Sequence, residues 1–306
     1  MKPVPFTRRA ALTALCLSCI ATDTPPQLTE IAPGIHIRPG RTEDATAENH
    51  NAIANTGFII GTHSVAVFDP GGSLADGQTL RRAIRARTAL PIRTLILSHA
   101  HPDHMFGAGA FAQDKPDIVA HARLPAALAA SGAFYRDGLN TILGPNAAGP
   151  IPIPTTLVRD THQIDLGGRT LTLTAHPPAH SACDLTAFDL QTSTLFAGDL
   201  LFLTRLPSLD GDLKGWIALM ATLQSQPAAR AVPGHGPPST PWPQAAAPQD
   251  RYLATLLRET RQAVARATPI DQAAHSVAQS ERPRWQMFDD INPRNVLEAY
   301  RQLEWE

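Results

Sequence analysis

Ser98-His99-Ala100-His101-Pro102-Asp103-His104 decides how this chain is read. The stretch spells H-x-H-x-D-H, four potential metal ligands within six residues, directly after the apolar run Leu95-Ile96-Leu97. A strand end that passes into a tight loop can point imidazoles and a carboxylate into one small volume. Zinc takes imidazole nitrogen at about 2.0–2.1 Å and carboxylate oxygen at a similar range. A lone His-x-His is commonly a surface accident; the full spacing is much harder to reach by chance. Three further groups close later apolar runs: His180, Asp199 in Phe196-Ala197-Gly198-Asp199, and His235 in Val232-Pro233-Gly234-His235-Gly236. Each alone has an ordinary reading, as a turn-capping aspartate or a histidine satisfied by hydrogen bonds. The seven together point to a metal centre.

Outward from that stretch, short apolar runs recur between turns. Val65–Phe68 ends at Asp69-Pro70-Gly71-Gly72, Ile118–Ala120 at His121, and Leu171–Thr174 near His176. Leu195–Ala197 ends at Gly198-Asp199, and Ala229–Val232 at Pro233-Gly234-His235. These are strand signatures, several of them buried on both faces. Helical spacing separates them, in Trp216, Leu219, Met220 and Leu223, and in Leu253, Leu256, Leu257, Thr260 and Val264. Asn292-Pro293 reads as a cap with proline at the first helical position, opening a helix over Val296–Leu303. Strands alternating with helices make the class α/β. The proline-rich linker Pro237–Pro248 leads into an amphipathic helix, so residues 248–306 are expected as a helical extension packed on one domain spanning 22–306.

The chain has 306 residues, 43% hydrophobic and 17% charged, enough to bury a sizeable core and unlike a disordered chain. Lysine plus arginine is 26 against 27 acids, so there is no basic excess for a phosphate backbone, and no nucleic-acid partner is expected. No apolar run reaches the ~20 residues of a membrane-spanning helix. Residues 1–21 read as an export signal: Lys2, Arg8 and Arg9 precede the short apolar stretch Ala10–Ala21, and Cys19-Ile20-Ala21 offers a small-x-small cleavage site. Thr7-Arg8-Arg9 resembles a twin-arginine signal. Cleavage near Ala21 removes three positive charges and leaves Cys183 as the only thiol, so no internal disulfide is available.

The ordered set of motifs from Phe58 to His235 resembles the metallo-β-lactamase superfamily, in its hydrolase branch of glyoxalase II-like enzymes. That resemblance implies an αββα sandwich, two central mixed sheets flanked by helices, with metals at one edge. It implies that His99, His101 and His180 hold a first metal and Asp103, His104 and His235 a second, with Asp199 bridging both. Asp69 would orient the ligand loop, and Asp184 would help in the same way. His180 is preferred over His176 because the family's third histidine precedes the bridging aspartate by about nineteen residues, as His180 precedes Asp199. The turn His180-Ser181-Ala182-Cys183 lacks the family's proline and glycine and brings Cys183 near the metals, where a small buried side chain is the simpler reading.

Further runs are similar to the SoxH-related exported group called quinoprotein relay system zinc metallohydrolases: Ile53–Gly61 leading to Asp69–Ser73, Arg205–Gly211 with Trp216, and Asn295–Tyr300 with Leu303–Glu306. This implies a periplasmic enzyme with a functional link to a quinoprotein dehydrogenase in PQQ-dependent alcohol oxidation. The expected cofactor is two Zn2+, with iron or manganese as alternatives. Two divalent cations carry +4, Asp103 and Asp199 −2 and a bridging hydroxide −1, leaving about +1 to stabilise an oxyanion. Bound water falls from a pKa of 15.7 to about 7, so hydroxide is available to attack an ester, thioester, lactam or similar carbonyl of a small-molecule substrate. Asp103 is the expected catalytic residue, orienting the nucleophile or taking its proton. The segment Asp199–Trp216 should line the mouth, where Arg205 and Lys214 are candidates for an anionic group. The rival readings are a class B β-lactamase, a thioesterase acting on glutathione conjugates, a mononuclear iron sulfur dioxygenase, and a non-catalytic periplasmic metal-binding accessory protein.

Overall fold

The computed structural model describes residues 27–306, so the export-signal reading of residues 1–21 lies outside the described residues. Two sheets form the centre. The first holds β1 (Thr29–Ala32), β2 (Ile35–Arg38), β3 (Thr56–Ile60), β4 (Val65–Phe68), β5 (Ile92–Leu97), β6 (Asp117–His121) and β7 (Thr156–Val158), in that spatial order. The second holds β8 (Thr161–Asp165), β9 (Thr170–Ala175), β10 (Leu185–Asp189), β11 (Thr194–Phe202), β12 (Arg230–His235) and β13 (Thr240–Pro241), ordered from β13 down to β8. Both are mixed: β4 to β7 run parallel, as do β11 and β12, and the other pairs are antiparallel. The helices are α1 (Leu74–Arg85), α2 (Pro102–Met105), α3 (Leu124–Leu143), α4 (Leu213–Gln224), α5 (Ala247–Ala265), α6 (Ile270–Ser276) and α7 (Phe288–Leu303). Among the described residues, no helix is long and apolar enough to cross a membrane.

The burial of β4 shows why its sequence is apolar at every position. Val65 and Val67 pack outward with Leu80 and Ile84 of α1. Ala66 and Phe68 face the other way, into a core shared with Leu173, Phe196 and Val232 of the second sheet. Phe68 and Phe196 meet across the sheets with ring centroids 5.2 Å apart. A strand covered on both faces cannot alternate apolar with polar; β9 does alternate, with Leu171 and Leu173 buried between half-buried threonines. On the far side of the second sheet, α4, α5, α6 and α7 close a core around Trp216, Tyr252, Leu256 and Val296. The result is the αββα sandwich, and the C-terminal helices form part of its outer layer.

Two expectations are corrected. β11 does not stop at Gly198-Asp199 but runs on through the buried Leu200, Leu201 and Phe202. Its register with β12 breaks on both sides of Gly198, so this is an irregular strand interior rather than a strand end. α7 begins at Phe288, not after Asn292, and carries Pro293 inside it. Asn292 does not cap: its buried amide donates to Val277 O at 3.0 Å and accepts from Tyr252 Oη at 3.0 Å. The bond that Pro293 cannot donate falls at Asp289, which is exposed to water.

Candidate metal centre

The seven side chains singled out from the sequence converge at one edge of the sandwich. β5 ends at Leu97, and the following turn enters α2 with Pro102 at its start, which sets Asp103 and His104 on a first helical turn. His101 is extended at the N-cap of that helix. His180 lies in the turn between β9 and β10, Asp199 in the irregular part of β11, and His235 at the end of β12. Two glycines make room for this. A Cβ on Gly198, which has φ +53°, would stand 2.8 Å from Ser98 Cβ, and one on Gly234 would collide with Asp199 Oδ1.

The ligand atoms fall into two sets, His99, His101, His180 and Asp199 in one and Asp103, His104 and His235 in the other, each within 4.8 Å. Asp199 reaches both. Its Oδ1 is 3.1 Å from His104 Nε2, and its Oδ2 is 3.5 Å from both His180 Nε2 and His235 Nε2 and 3.7 Å from His99 Nε2. Asp103 Oδ2 is 3.3 Å from His235 Nε2 and 3.5 Å from His104 Nε2. His101 Nδ1 and His180 Nε2 are 3.0 Å apart. Buried His99 Nε2, His104 Nε2 and Asp199 Oδ1 have no hydrogen-bond partner. Buried polar atoms left unpaired and aimed at one another are what a cation site requires, and imidazole with carboxylate is a donor set that zinc accepts. The residues fit a dinuclear metal site.

The outer nitrogen of every ring is held, which fixes the tautomer that points a lone pair inward. His104 Nδ1 donates to Asp69 Oδ2 at 2.8 Å. His99 Nδ1 meets Ser98 Oγ at 2.8 Å, and that hydroxyl donates to the same Asp69 oxygen at 2.8 Å. Ser98 N donates to Asp69 Oδ1 at 2.8 Å. His180 Nδ1 donates to Ser208 O at 2.7 Å, and His235 Nδ1 to Ile53 O at 3.0 Å. His101 is turned the other way, with Nε2 on Asp210 Oδ2 at 2.7 Å and Nδ1 inward.

Burial sets the first charge balance. It holds His180 down to about 4 and His99 well below the usual histidine range, so both rings are neutral at neutral pH. Burial also opposes charge on His104 and His235, but the carboxylates of Asp199 and Asp103 outweigh it and raise both. Burial likewise opposes the Asp199 carboxylate, yet His104 and His235 hold it well below the usual range. The site therefore concentrates negative charge that protons or cations must offset.

The other expected residues divide. Asp69 is buried and ties the rings of His99 and His104 as just described. Asp184 touches no candidate ligand; it accepts from Ser181 N at 2.9 Å and Ser181 Oγ at 2.7 Å, holding the turn after His180, and burial lifts its carboxyl to about 7. Cys183 is buried among Leu97, Ala100 and Met105, with its thiol pushed up to about 11 by burial, and belongs to neither ligand set. His176 instead bonds Thr186 Oγ1 at 2.8 Å. A cavity of ≈ 290 Å³ opens on His101, Asp103, Asp199 and His235, with Arg205 in its wall. Arg205 donates to Glu43 O at 3.2 Å, while its buried Nε has no partner. Lys214 is absent from that wall: its Nζ lies 2.6 Å from Glu306 on the surface, which corrects its expected place at the mouth. The sequence reading missed Asp210, Arg294 and Asn295, which also line the cavity. Asp210 stood in the quoted run Arg205–Gly211, but nothing in that run marks which carboxylate faces a ring.

A family model described as the metallo-beta-lactamase superfamily matches residues 52–235. The chain belongs to that superfamily. Among solved structures, a metallo-beta-lactamase from Pontibacter korlensis is similar at 18% identity and TM-score 0.61, over 74% of this chain and 98% of that one. The metallo-beta-lactamase IND-7 is similar at 17% identity and TM-score 0.59, over 74% of this chain and 97% of that one. The stereoselective inverting sec-alkylsulfatase Pisa1 from Pseudomonas sp. reaches TM-score 0.70 at 16% identity, over 90% of this chain but 50% of that one. At these identities the likeness is one of fold. No curated protein matches the chain. Metallo-beta-lactamase superfamily members are mostly hydrolases, and the His/Asp cluster of this member is compatible with their metal chemistry.

Proposed function

We propose that this superfamily member is a dinuclear zinc hydrolase that attacks the carbonyl of a small ester, thioester, lactam or related substrate. The convergence of five imidazoles and two carboxylates into two sets, with lone pairs inward and outer nitrogens held, carries the reading. Divalent cations held there would supply Lewis acidity and activated water near neutral pH. Asp103 is the acid–base candidate because its side chain is 13% exposed at the cavity, against 4% for Asp199. It orients the attacking water and takes its proton. Asp69 keeps His104 and His99 in the tautomers that leave Nε2 free. Arg205, whose buried Nε has no partner although Asp44 lies 4.0 Å from its Nη2, is the group of the cavity wall available to an anionic part of the substrate.

The reading includes export to the periplasm and service to PQQ-dependent alcohol oxidation. It is supported by the charged-then-apolar start of the chain and by the runs similar to quinoprotein relay metallohydrolases. The test is metal analysis of purified protein, followed by a screen of zinc-loaded protein against thioesters, lactams, lactones and phosphodiesters. Secondary alkyl sulfates belong in the screen because the alkylsulfatase fold covers 90% of this chain. Less than one equivalent of any transition metal, with no gain on adding zinc, would defeat the proposal.

A further inference from the structure

Two of the candidate ligands are held from one loop, residues 203–212, that leaves β11. Ser208 O accepts from His180 Nδ1 at 2.7 Å. Asp210 Oδ2 meets His101 Nε2 at 2.7 Å, and Asp210 N donates to His180 O at 3.0 Å. The loop is in turn gripped from α7, which lies beyond the residues that match the family model. Asn295 Oδ1 accepts from Leu209 N at 2.9 Å, and its Nδ2 donates to Pro207 O at 2.6 Å. Those are the residues on either side of Ser208. The second Nδ2 proton goes to Tyr252 Oη at 2.8 Å, and Tyr252 donates to Asn292 at 3.0 Å. Asn295 is 2% exposed and sits against an apolar core that includes Leu209, Tyr252, Ile291 and Val296. A buried amide costs free energy unless its polar atoms are paired, and here the carbonyl and both N–H bonds have partners, two of them in the backbone around Ser208.

We propose that Asn295 is a positioning residue for the metal centre. It clamps the chain on both sides of Ser208 and, through Ser208 O and Asp210, sets the rings of His180 and His101. The proposal rests on the reading of those rings as metal ligands.

The experiment uses the full chain with Asn295→Ala and the milder Tyr252→Phe. Val296→Ala is the control, since Val296 is buried beside Asn295 and has no polar contact with the loop. Chelator competition gives the two zinc dissociation constants, the cobalt(II) spectrum reports ligand geometry, and hydrogen exchange reports the amides of Leu209 and Asp210. Asn295→Ala is expected to weaken zinc at the His99, His101 and His180 set by about 10–100-fold, with a changed cobalt spectrum. The Asp103, His104 and His235 set stays nearly as tight, and exchange at Leu209 and Asp210 quickens. Tyr252→Phe shifts the same readouts less and carries the test should Asn295→Ala not fold. Equal zinc loss in Val296→Ala at matched thermal stability overturns the proposal, as does unchanged affinity with unchanged exchange. A wild-type protein that takes up no zinc defeats the hydrolase reading; faster exchange in Asn295→Ala still upholds the clamp, and unaltered exchange overturns it.

Discussion

Asp69→Asn changes one atom that orients two rings. Asp69 Oδ1 accepts from Ser98 N at 2.8 Å, and an asparagine oxygen can keep that bond. The amide nitrogen then replaces Oδ2, which accepts from both His104 Nδ1 and Ser98 Oγ at 2.8 Å. A donor now faces the N–H of His104. The ring must either keep that N–H unmet or move its proton to Nε2, the nitrogen aimed at Asp199 and the candidate metal. An unmet buried donor costs about 1–3 kcal/mol, which at about 1.4 kcal/mol per tenfold is a loss of about 5- to 150-fold in zinc affinity at the His104 set. The His99 set should lose less, because the Ser98 hydroxyl that relays the effect can rotate. Asparagine matches aspartate in size, so the packing of the sandwich and cooperative unfolding should be retained. Chelator competition on the variant, beside circular dichroism, measures both quantities. A folded Asp69→Asn that binds two zinc ions as tightly as wild type would refute the tautomer argument.

Other substitutions separate chemistry from structure. Asp103→Asn should lower kcat by about 10²–10⁴-fold, the usual contribution of a positioned acid–base group, and weaken zinc at the Asp103, His104 and His235 set while the His99, His101 and His180 set stays loaded; an untouched cellular phenotype would favour the accessory-protein reading. Arg205→Ala should raise KM for anionic substrates by about tenfold or more, since a charged hydrogen bond is worth about 1.5–3 kcal/mol, and leave neutral substrates little changed. Lys214→Ala should leave KM for both kinds of substrate little changed, because its exposed pair with Glu306 lies away from the cavity; a KM effect as large as that of Arg205→Ala would contradict the cavity assignment. Burial holds His176 down to about 4. The unfolded chain therefore binds a proton that the folded chain refuses, and the stability present above about pH 6.5 falls by about 1.4 kcal/mol per unit as the pH drops toward 4. The gap between denaturant midpoints at pH 7 and pH 5 should narrow in His176→Asn, and an unchanged gap would argue against that assignment.

The candidate ligands were legible in unequal ways. His99, His101, Asp103 and His104 come from one strand end and one helical turn, so their spacing along the chain is nearly their spacing in space. His180, Asp199 and His235 needed the resemblance to a family, because nothing local says that a turn, a strand interior and a strand end far apart in the chain share an edge. The partners behind them were mostly hidden. Ser208 and Ile53 act through backbone carbonyls, which every residue has. Asn295 was obscured by Pro293, whose usual place at a helix start put the boundary of α7 too late. Lys214 and Arg205 look alike as cations in one segment, yet Glu306, at the far end of the chain, draws Lys214 away.

Periodicity and composition by themselves determined an α/β chain with strands buried on both faces, and the run from Ser98 to His104 by itself announced a metal-binding loop. Which nitrogen of each ring turns inward, and which loop and helix hold it there, was decided only by the tertiary structure. The reason is the reach of each kind of force. Burial patterns and ligand spacing are written over a few neighbouring residues, whereas a hydrogen bond that aims a ring depends on atoms brought from elsewhere, as His235 depends on a carbonyl 182 residues away.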